Sequence, residues 1–97
     1  MPSHDLHNAV IVITGASSGI GRASALEFAR KGASLFLAAR DEAALEEVAH
    51  ECHRCGAQAR VVVTDVTDTG DLQHLAQSAV DAAGRIDVWV NNAGIGT

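Results

Sequence analysis

The sequence predicts an α/β fold with three layers, α/β/α, built on half of a doubly wound parallel sheet. Short apolar runs rich in β-branched residues alternate along the chain with longer segments of helical periodicity, in the order β-α-β-α-β-α-β. Strands that alternate with helices pair in parallel through right-handed crossovers. We expect the four strands in the spatial order 3-2-1-4. Residues 1–97 are long enough for one such domain.

Four short segments composed mainly of apolar residues predict the strands, at residues 9–13, 34–38, 60–63 and 86–90. The continuous apolar run at 9–13 is typical of a strand that helices cover on both faces. Trp89 in the last run is expected in the core, as is Phe28 in the first helical segment.

Three segments between these runs predict the helices, at residues 19–31, 41–54 and 68–83. Gly32, Gly56 and Gly84 follow the segments as stop signals, and Asp41 is the expected N-cap of the second helix. The residues expected to form the apolar stripes are Ile20, Ala23, Leu26 and Phe28 in the first helix, Ala44, Leu45 and Val48 in the second, and Leu72, Leu75, Ala76 and Ala79 in the third.

The charge and the apolar pattern exclude several classes of function. Twelve acidic residues against seven basic ones give a formal net charge of −5, and the basic residues form no stripe, so nucleic-acid binding is not expected. No apolar run approaches the about 18 residues of a membrane span. The first residues lack the charged and apolar regions of a secretory signal. We therefore expect a cytoplasmic protein without nucleic-acid or membrane partners.

Cys52 and Cys55 form a C-x-x-C pair, a spacing found in some metal and redox sites. Zinc usually needs a second pair of ligands, and no matching pair is present. The cysteines lie near the end of a helix, where the helix dipole opposes a thiolate. We interpret them as ordinary helix-end residues and assign no metal site.

Residues 14–21, with the sequence TGASSGIG, lie between the first strand and the first helix. In a Rossmann-type domain, this turn binds the phosphates of a dinucleotide. Gly15 suits a tight turn, Gly19 lets the backbone approach a pyrophosphate, and Gly21 lets the helix pack closely on the sheet. The N–H groups at the helix start attract an anion. The hydroxyls of Ser17 and Ser18 can add hydrogen-bond donors for the phosphates. The alternative is a glycine-rich turn that binds no ligand.

Two later motifs accompany this G-x-x-x-G-x-G spacing: Asp65-Val66 follows the third strand, and Asn91-Asn92-Ala93-Gly94 follows the fourth. In this order and on these elements, the three motifs resemble the short-chain dehydrogenase/reductase family, from about residue 8 to residue 96. The resemblance implies an oxidoreductase that transfers hydride between a nicotinamide cofactor and a carbonyl or alcohol. It also implies that the glycine-rich turn, Ile20 included, contacts the cofactor.

Arg40 indicates which nicotinamide cofactor is used. Ala39 stands where NAD-preferring members of the family carry an acid for the ribose hydroxyls, and Arg40 follows it directly. A guanidinium is a planar fork of donors that suits a 2′-phosphate, so we predict NADP(H), with NAD(H) as the alternative. Ser18 stands where many NADP-using relatives carry a second basic residue. A single arginine therefore favours a preference for NADP(H) without excluding NAD(H). Pairing of Arg40 with Asp41 or Glu42 is the competing interpretation.

The two later motifs resemble further cofactor contacts of the family. The carboxylate of Asp65, beside Val66, can accept a hydrogen bond from the amine of adenine, although it can instead cap nearby N–H groups. Residues 91–94 are expected beside the cofactor as well, because Ala93 and Gly94 permit close approach. Asn91 and Asn92 can tie backbone strands together, and for Asn91 a structural role and a ligand contact are equally open.

The family's catalytic serine, tyrosine and lysine have no counterpart here. The sequence contains no tyrosine, and its one lysine, Lys31, ends the first helix. We therefore assign no catalytic residue and expect the cofactor-binding half of a longer enzyme, cut after the fourth strand, inactive alone and only marginally stable because of an unpaired strand edge. The substrate stays open, and any homo-oligomer belongs to the longer enzyme. The alternative function is a non-catalytic nucleotide-binding or interaction module.

Overall fold

The computed structural model describes residues 6–92. Its elements are β1 (Val10–Thr14), α1 (Gly19–Arg30), β2 (Ser34–Ala39), α2 (Glu42–Arg54), β3 (Gln58–Val63), α3 (Thr69–Ala83) and β4 (Val88–Asn91). The strands form a parallel sheet in the order β3-β2-β1-β4. The predicted fold and strand order are confirmed, and the predicted element bounds agree with the observed ones to within two residues.

The two faces of the sheet carry separate cores because successive side chains of a strand point to opposite faces. Ile11 and Ile13 of β1 join the cluster beneath α1 and α2. Val10 and Val12 join the cluster beneath α3. Side chains of β2 alternate in the same way, so both central strands are covered on both faces.

The predicted apolar stripe of α1 is wrong at its first two positions, whereas Leu26 and Phe28 are partly buried and pack against the cluster beneath α1 and α2. Ile20 is 64% exposed and Ala23 is exposed as well. A Cβ placed on Gly21 would lie 2.0 Å from the Gly15 carbonyl oxygen, so the helix approaches the preceding turn too closely for larger side chains. The residues that α1 buries are Gly21, Ala25 and Ala29.

Two aromatic residues expected in the core are less buried than predicted. Trp89 remains 38% exposed because β4 has a neighbouring strand on one side only in the described sheet. Phe28 is half-buried and packs against the margin of the cluster beneath α1 and α2. The sequence shows that both side chains are apolar but not how much of each is covered.

The ends of the helices follow the capping residues of the sequence. Asp41 caps α2 as predicted, and its Oδ1 accepts a 3.1 Å hydrogen bond from the Ala44 N–H. Gly84 ends α3 in the left-handed conformation, with φ of 85°, where a residue with a Cβ would be strained.

Within residues 6–92, no helix has the length and apolar composition needed to cross a membrane.

Candidate nucleotide-binding site

The predicted site residues that the structure describes lie at one edge of the sheet. Because all four strands are parallel, their carboxyl ends meet there. The glycine-rich turn follows β1, Arg40 follows β2, and Asp65 and Val66 follow β3, whereas Asn91 and Asn92 lie at the end of β4. The strand order reverses between β1 and β4, where open α/β sheets bind their ligands.

The glycine-rich turn is closed by hydrogen bonds around Gly15. This residue has φ of 63°, and its carbonyl accepts from the Ser18 N–H at 3.1 Å and from the Ser18 hydroxyl at 2.8 Å. The same hydroxyl oxygen accepts from the Gly21 N–H at 3.2 Å, so Ser18 is the N-cap of α1. The Ser18 side chain therefore holds the turn in shape, while the half-buried Ser17 hydroxyl bonds to no other described residue.

The start of α1 offers free donors and free space. Within the described part of the chain, the N–H groups of Gly19 and Ile20 have no protein acceptor, as is usual for a first helical turn. A Cβ on Gly19 would meet nothing within 4 Å. Free N–H groups, open space and the positive end of the helix dipole together suit a phosphate group.

Arg40 is exposed and available for a ligand. Among residues 6–92, its guanidinium forms no ion pair and no hydrogen bond, and Asp41 caps α2 instead of pairing with it. The competing interpretation, in which Arg40 pairs with Asp41 or Glu42, is therefore not seen.

Asp65 bonds to its own loop through one carboxylate oxygen. Its Oδ1 accepts from the Thr67 hydroxyl at 2.6 Å and from the Thr67 N–H at 3.0 Å. These two bonds, in that order of importance, hold the pKa of Asp65 below its ordinary value, and the nearby charge of Arg40 contributes in the same direction. The local capping role weighed from the sequence is thus present. Oδ2 has no hydrogen-bond donor among the described residues, so the carboxylate keeps a free acceptor at the sheet edge.

Asn91 is tied to a residue that the sequence analysis did not single out. The Thr14 hydroxyl donates to the Asn91 Oδ1 at 2.7 Å and joins the ends of β1 and β4. Thr14 is fully buried. The structural role considered for Asn91 is therefore observed, and only the position of Thr14 at the head of the glycine motif could have indicated it.

The rest of the fourth-strand motif is only partly described. The Asn92 Nδ2 is buried and has no hydrogen-bond partner in the described part of the chain. Ala93 and Gly94, also predicted to lie beside the cofactor, fall outside the described residues.

The C-x-x-C pair lies away from this edge, at the far end of α2. Cys52 is fully buried and Cys55 is exposed, and they form no disulfide. Burial raises the pKa of the Cys52 thiol to about 11, which disfavours a reactive thiolate. Within residues 6–92, no group of three or more His, Cys, Asp and Glu side chains could hold a metal ion.

A cavity of about 310 Å³ lies at the opposite, amino edge of the sheet. Its lining includes His7, Gly32, Gln58 and Arg85. None of the predicted site residues lines it, so it is separate from the candidate site.

The sheet order and the glycine-rich turn at its carboxyl edge define a Rossmann-type α/β domain. The family model for short chain dehydrogenase matches residues 9–97. The chain therefore belongs to the short-chain dehydrogenase family of oxidoreductases.

Individual relatives support this assignment. The chain is 47% identical over 94 residues to 11-beta-hydroxysteroid dehydrogenase A of Sesamum indicum, covering 96% of this chain and 27% of that protein. The structure of a hydroxysteroid dehydrogenase from Escherichia coli superposes with a TM-score of 0.90 at 37% identity, covering 95% of this chain and 39% of that one. A family member from Burkholderia phymatum in complex with NAD gives a TM-score of 0.84 at 38% identity, over 90% of this chain and 31% of that one. The chain spans between 26% and 38% of the length of the curated relatives it matches.

Proposed function

We propose that this chain is the cofactor-binding part of an NADP(H)-dependent oxidoreductase that interconverts a carbonyl and an alcohol. The observation that carries the choice of cofactor is Arg40, an exposed guanidinium directly after β2 that pairs with no other described residue. An arginine here accommodates a 2′-phosphate, whereas an acid would bond the ribose hydroxyls of NAD. One family member forms a complex with NAD. NAD(H) is therefore the alternative cofactor, and the experiment must distinguish it from NADP(H).

The described residues fit a dinucleotide at the carboxyl edge. The open space at Gly19 and the free N–H groups at the start of α1 suit the pyrophosphate. Arg40 would bind the 2′-phosphate, and the free Oδ2 of Asp65, next to Val66, would accept from the adenine amine. When bound, the nicotinamide group donates or accepts the hydride. The residues of this chain bind and orient the cofactor.

Proton transfer in the same reaction is assigned to residues outside this chain. The reduction of a carbonyl needs a proton donor near the oxygen as hydride reaches the carbon. The sequence has no tyrosine, and its one lysine, Lys31, forms an ion pair with Glu27 at the end of α1. We propose that the family's serine, tyrosine and lysine belong to a longer polypeptide, and that residues 1–97 alone do not catalyse the reaction.

The relatives favour this enzyme over a non-catalytic module. Those described above are dehydrogenases, and the glycine-rich turn keeps the open space that a cofactor needs. No described feature favours a purely structural or interaction role.

The test is the affinity of the full-length polypeptide for NADPH and for NADH, measured by fluorescence titration. Arg40→Ala should weaken NADPH binding about 10- to 100-fold, because a hydrogen bond to a charged group contributes about 1.5–3 kcal/mol. NADH binding should change by less than about twofold, since NADH lacks the 2′-phosphate.

A matched control removes a different exposed arginine. Arg54 lies at the end of α2, away from the carboxyl edge, so Arg54→Ala should leave both affinities unchanged. Equal NADPH affinity in the wild type and in Arg40→Ala would refute the role of Arg40.

A further inference from the structure

The loop between β3 and α3 is held by a side chain from the helix that follows it. The Asp65 N–H donates a 2.8 Å hydrogen bond to the Oδ2 of Asp71, in the first turn of α3. Both residues are half-buried. The bond spans six positions and joins the predicted adenine-binding residue to a rigid element.

The Asp71 carboxylate bonds to the loop and not to the end of its own helix. In a usual capping box, a carboxylate at the third helical position bonds to the N–H of the N-cap residue. Asp68 is the N-cap here, and its Oδ1 accepts from the Asp71 N–H at 3.2 Å. The Asp68 N–H, however, already donates to the Asp65 carbonyl at 3.0 Å. The Asp71 side chain reaches past the N-cap to the Asp65 N–H instead.

These bonds fix Asp65 from two sides. Asp71 holds its backbone N–H, and Thr67 holds its carboxylate through Oδ1. The remaining oxygen, Oδ2, has no donor among the described residues. A side chain fixed before binding loses less conformational entropy when a ligand arrives.

We propose that Asp71 is a positioning residue for adenine recognition, which keeps the free Oδ2 of Asp65 available to the exocyclic amine of the base. The proposal rests on the proposed function, in which Asp65 accepts that hydrogen bond. Asp71 acts through Asp65 and does not itself contact the cofactor.

The test compares NADPH with its hypoxanthine analogue, in which an oxygen replaces the exocyclic amine. Both are titrated against the full-length polypeptide. The wild type should bind NADPH about tenfold more tightly than the analogue, because the analogue leaves the carboxylate without its donor. Asp71→Ala should reduce this preference to less than about twofold, through weaker binding of NADPH alone.

Two further variants separate positioning from helix stability. Asp71→Asn keeps an oxygen that can accept from the Asp65 N–H, so it should retain the wild-type preference. Asp68→Ala removes the N-cap of the same helix and should lower the melting temperature without changing the preference. If Asp71→Ala does not fold, Asp71→Ser serves in its place, because the serine hydroxyl is one bond shorter and does not reach the Asp65 N–H.

The possible results distinguish this proposal from the proposed function. A wild-type preference that survives in Asp71→Ala or Asp71→Ser would overturn the role of Asp71 and leave the role of Asp65 intact. A wild type that binds both cofactors equally would overturn both roles. Loss of the preference in Asp68→Ala as well would show that α3 acts through its stability and would overturn positioning by Asp71.

Discussion

The hydroxyl of Thr14 donates a 2.7 Å hydrogen bond to the Oδ1 of Asn91, 77 positions further along the chain. Thr14 ends β1 and Asn91 ends β4, so the bond fastens the two strands between which the strand order reverses. The glycine-rich turn begins immediately after Thr14. The bond thus links the shape of the proposed phosphate site to the position of β4.

Removal of this bond should weaken both the fold and cofactor binding. Thr14→Val leaves the Asn91 oxygen without its donor and should lower the free energy of unfolding by about 1–3 kcal/mol. Thr64→Val is the matched control, because Thr64 is equally buried but its hydroxyl bonds to the nearby Val62 carbonyl. Denaturant unfolding and NADPH titration measure the two effects. We expect reduced NADPH affinity in Thr14→Val only, and the same affinity in both variants would contradict the link.

Two glycines of the same turn should respond in opposite ways to alanine. Gly21→Ala places a Cβ 2.0 Å from the Gly15 carbonyl oxygen and should destabilise the fold by about 3 kcal/mol or more. A Cβ on Gly19 meets nothing within 4 Å, so Gly19→Ala should leave stability unchanged or raise it by up to about 1 kcal/mol. Gly19→Ala should nevertheless weaken NADPH binding, because the methyl group occupies the space proposed for the pyrophosphate. A stable Gly19→Ala protein with wild-type affinity would place the pyrophosphate elsewhere.

The two cysteines should differ sharply in reactivity. Cys55 is exposed, whereas burial raises the pKa of Cys52 to about 11. At about pH 8, iodoacetamide should therefore label Cys55 alone in the native protein, since the thiolate is the reactive form. Mass spectrometry identifies the labelled residue, and Cys55→Ser should abolish native labelling. Rapid labelling of Cys52 before unfolding would contradict the buried position of this thiol.

Asp87 should make stability depend on pH in the acidic range. A 2.8 Å bond from the Val10 N–H is the main cause that lowers the pKa of Asp87, and Arg85 adds to it. A carboxyl whose pKa is lower in the folded state stabilises the fold above its unfolded pKa, and this contribution disappears as pH falls through the folded pKa. The stability difference between the wild type and Asp87→Ala should therefore shrink below about pH 4. A difference that stays constant from about pH 6 to about pH 2 in urea unfolding would show that the Asp87 carboxylate contributes no such stabilisation.

Most of the fold could be predicted because each helix and strand depends on residues that are close together in the sequence. Apolar runs, helical segments and the glycines after them determine seven elements and their order, and the parallel order then follows from general rules of chain connection. The cap at Asp41 was predictable for the same reason, since an N-cap bonds within its own first turn.

The errors lie where packing distance decides the outcome. The apolar periodicity of α1 pointed to Ile20, but the helix lies so close to its preceding turn that it buries Gly21 and alanines instead. Trp89 was expected in the core because it is aromatic, but it lies on β4, which has a neighbouring strand on one side only in the described sheet. Such features depend on distances between elements that are remote in sequence.

The position of the predicted site residues at the carboxyl edge follows from the sequence, but the hydrogen bonds among them do not. The position of Arg40 after β2 follows from the strand alone. The bonds from Thr14 to Asn91 and from Asp65 to Asp71 depend on how a loop folds back or how two distant strands meet. The spacing of residues along the sequence shows neither the path of the loop nor the meeting of the two strands.

Amide hydrogen exchange tests most directly the central claim that a dinucleotide binds at the carboxyl edge. In the full-length polypeptide without cofactor, the free N–H groups of Gly19 and Ile20 should exchange rapidly. Saturating NADPH should slow exchange in peptides that contain these two residues and in peptides that contain Asp65. Exchange around Gln58 and Arg85, beside the cavity at the opposite edge, should not change. Protection confined to that opposite edge, with no change at Gly19 and Ile20, would contradict the account.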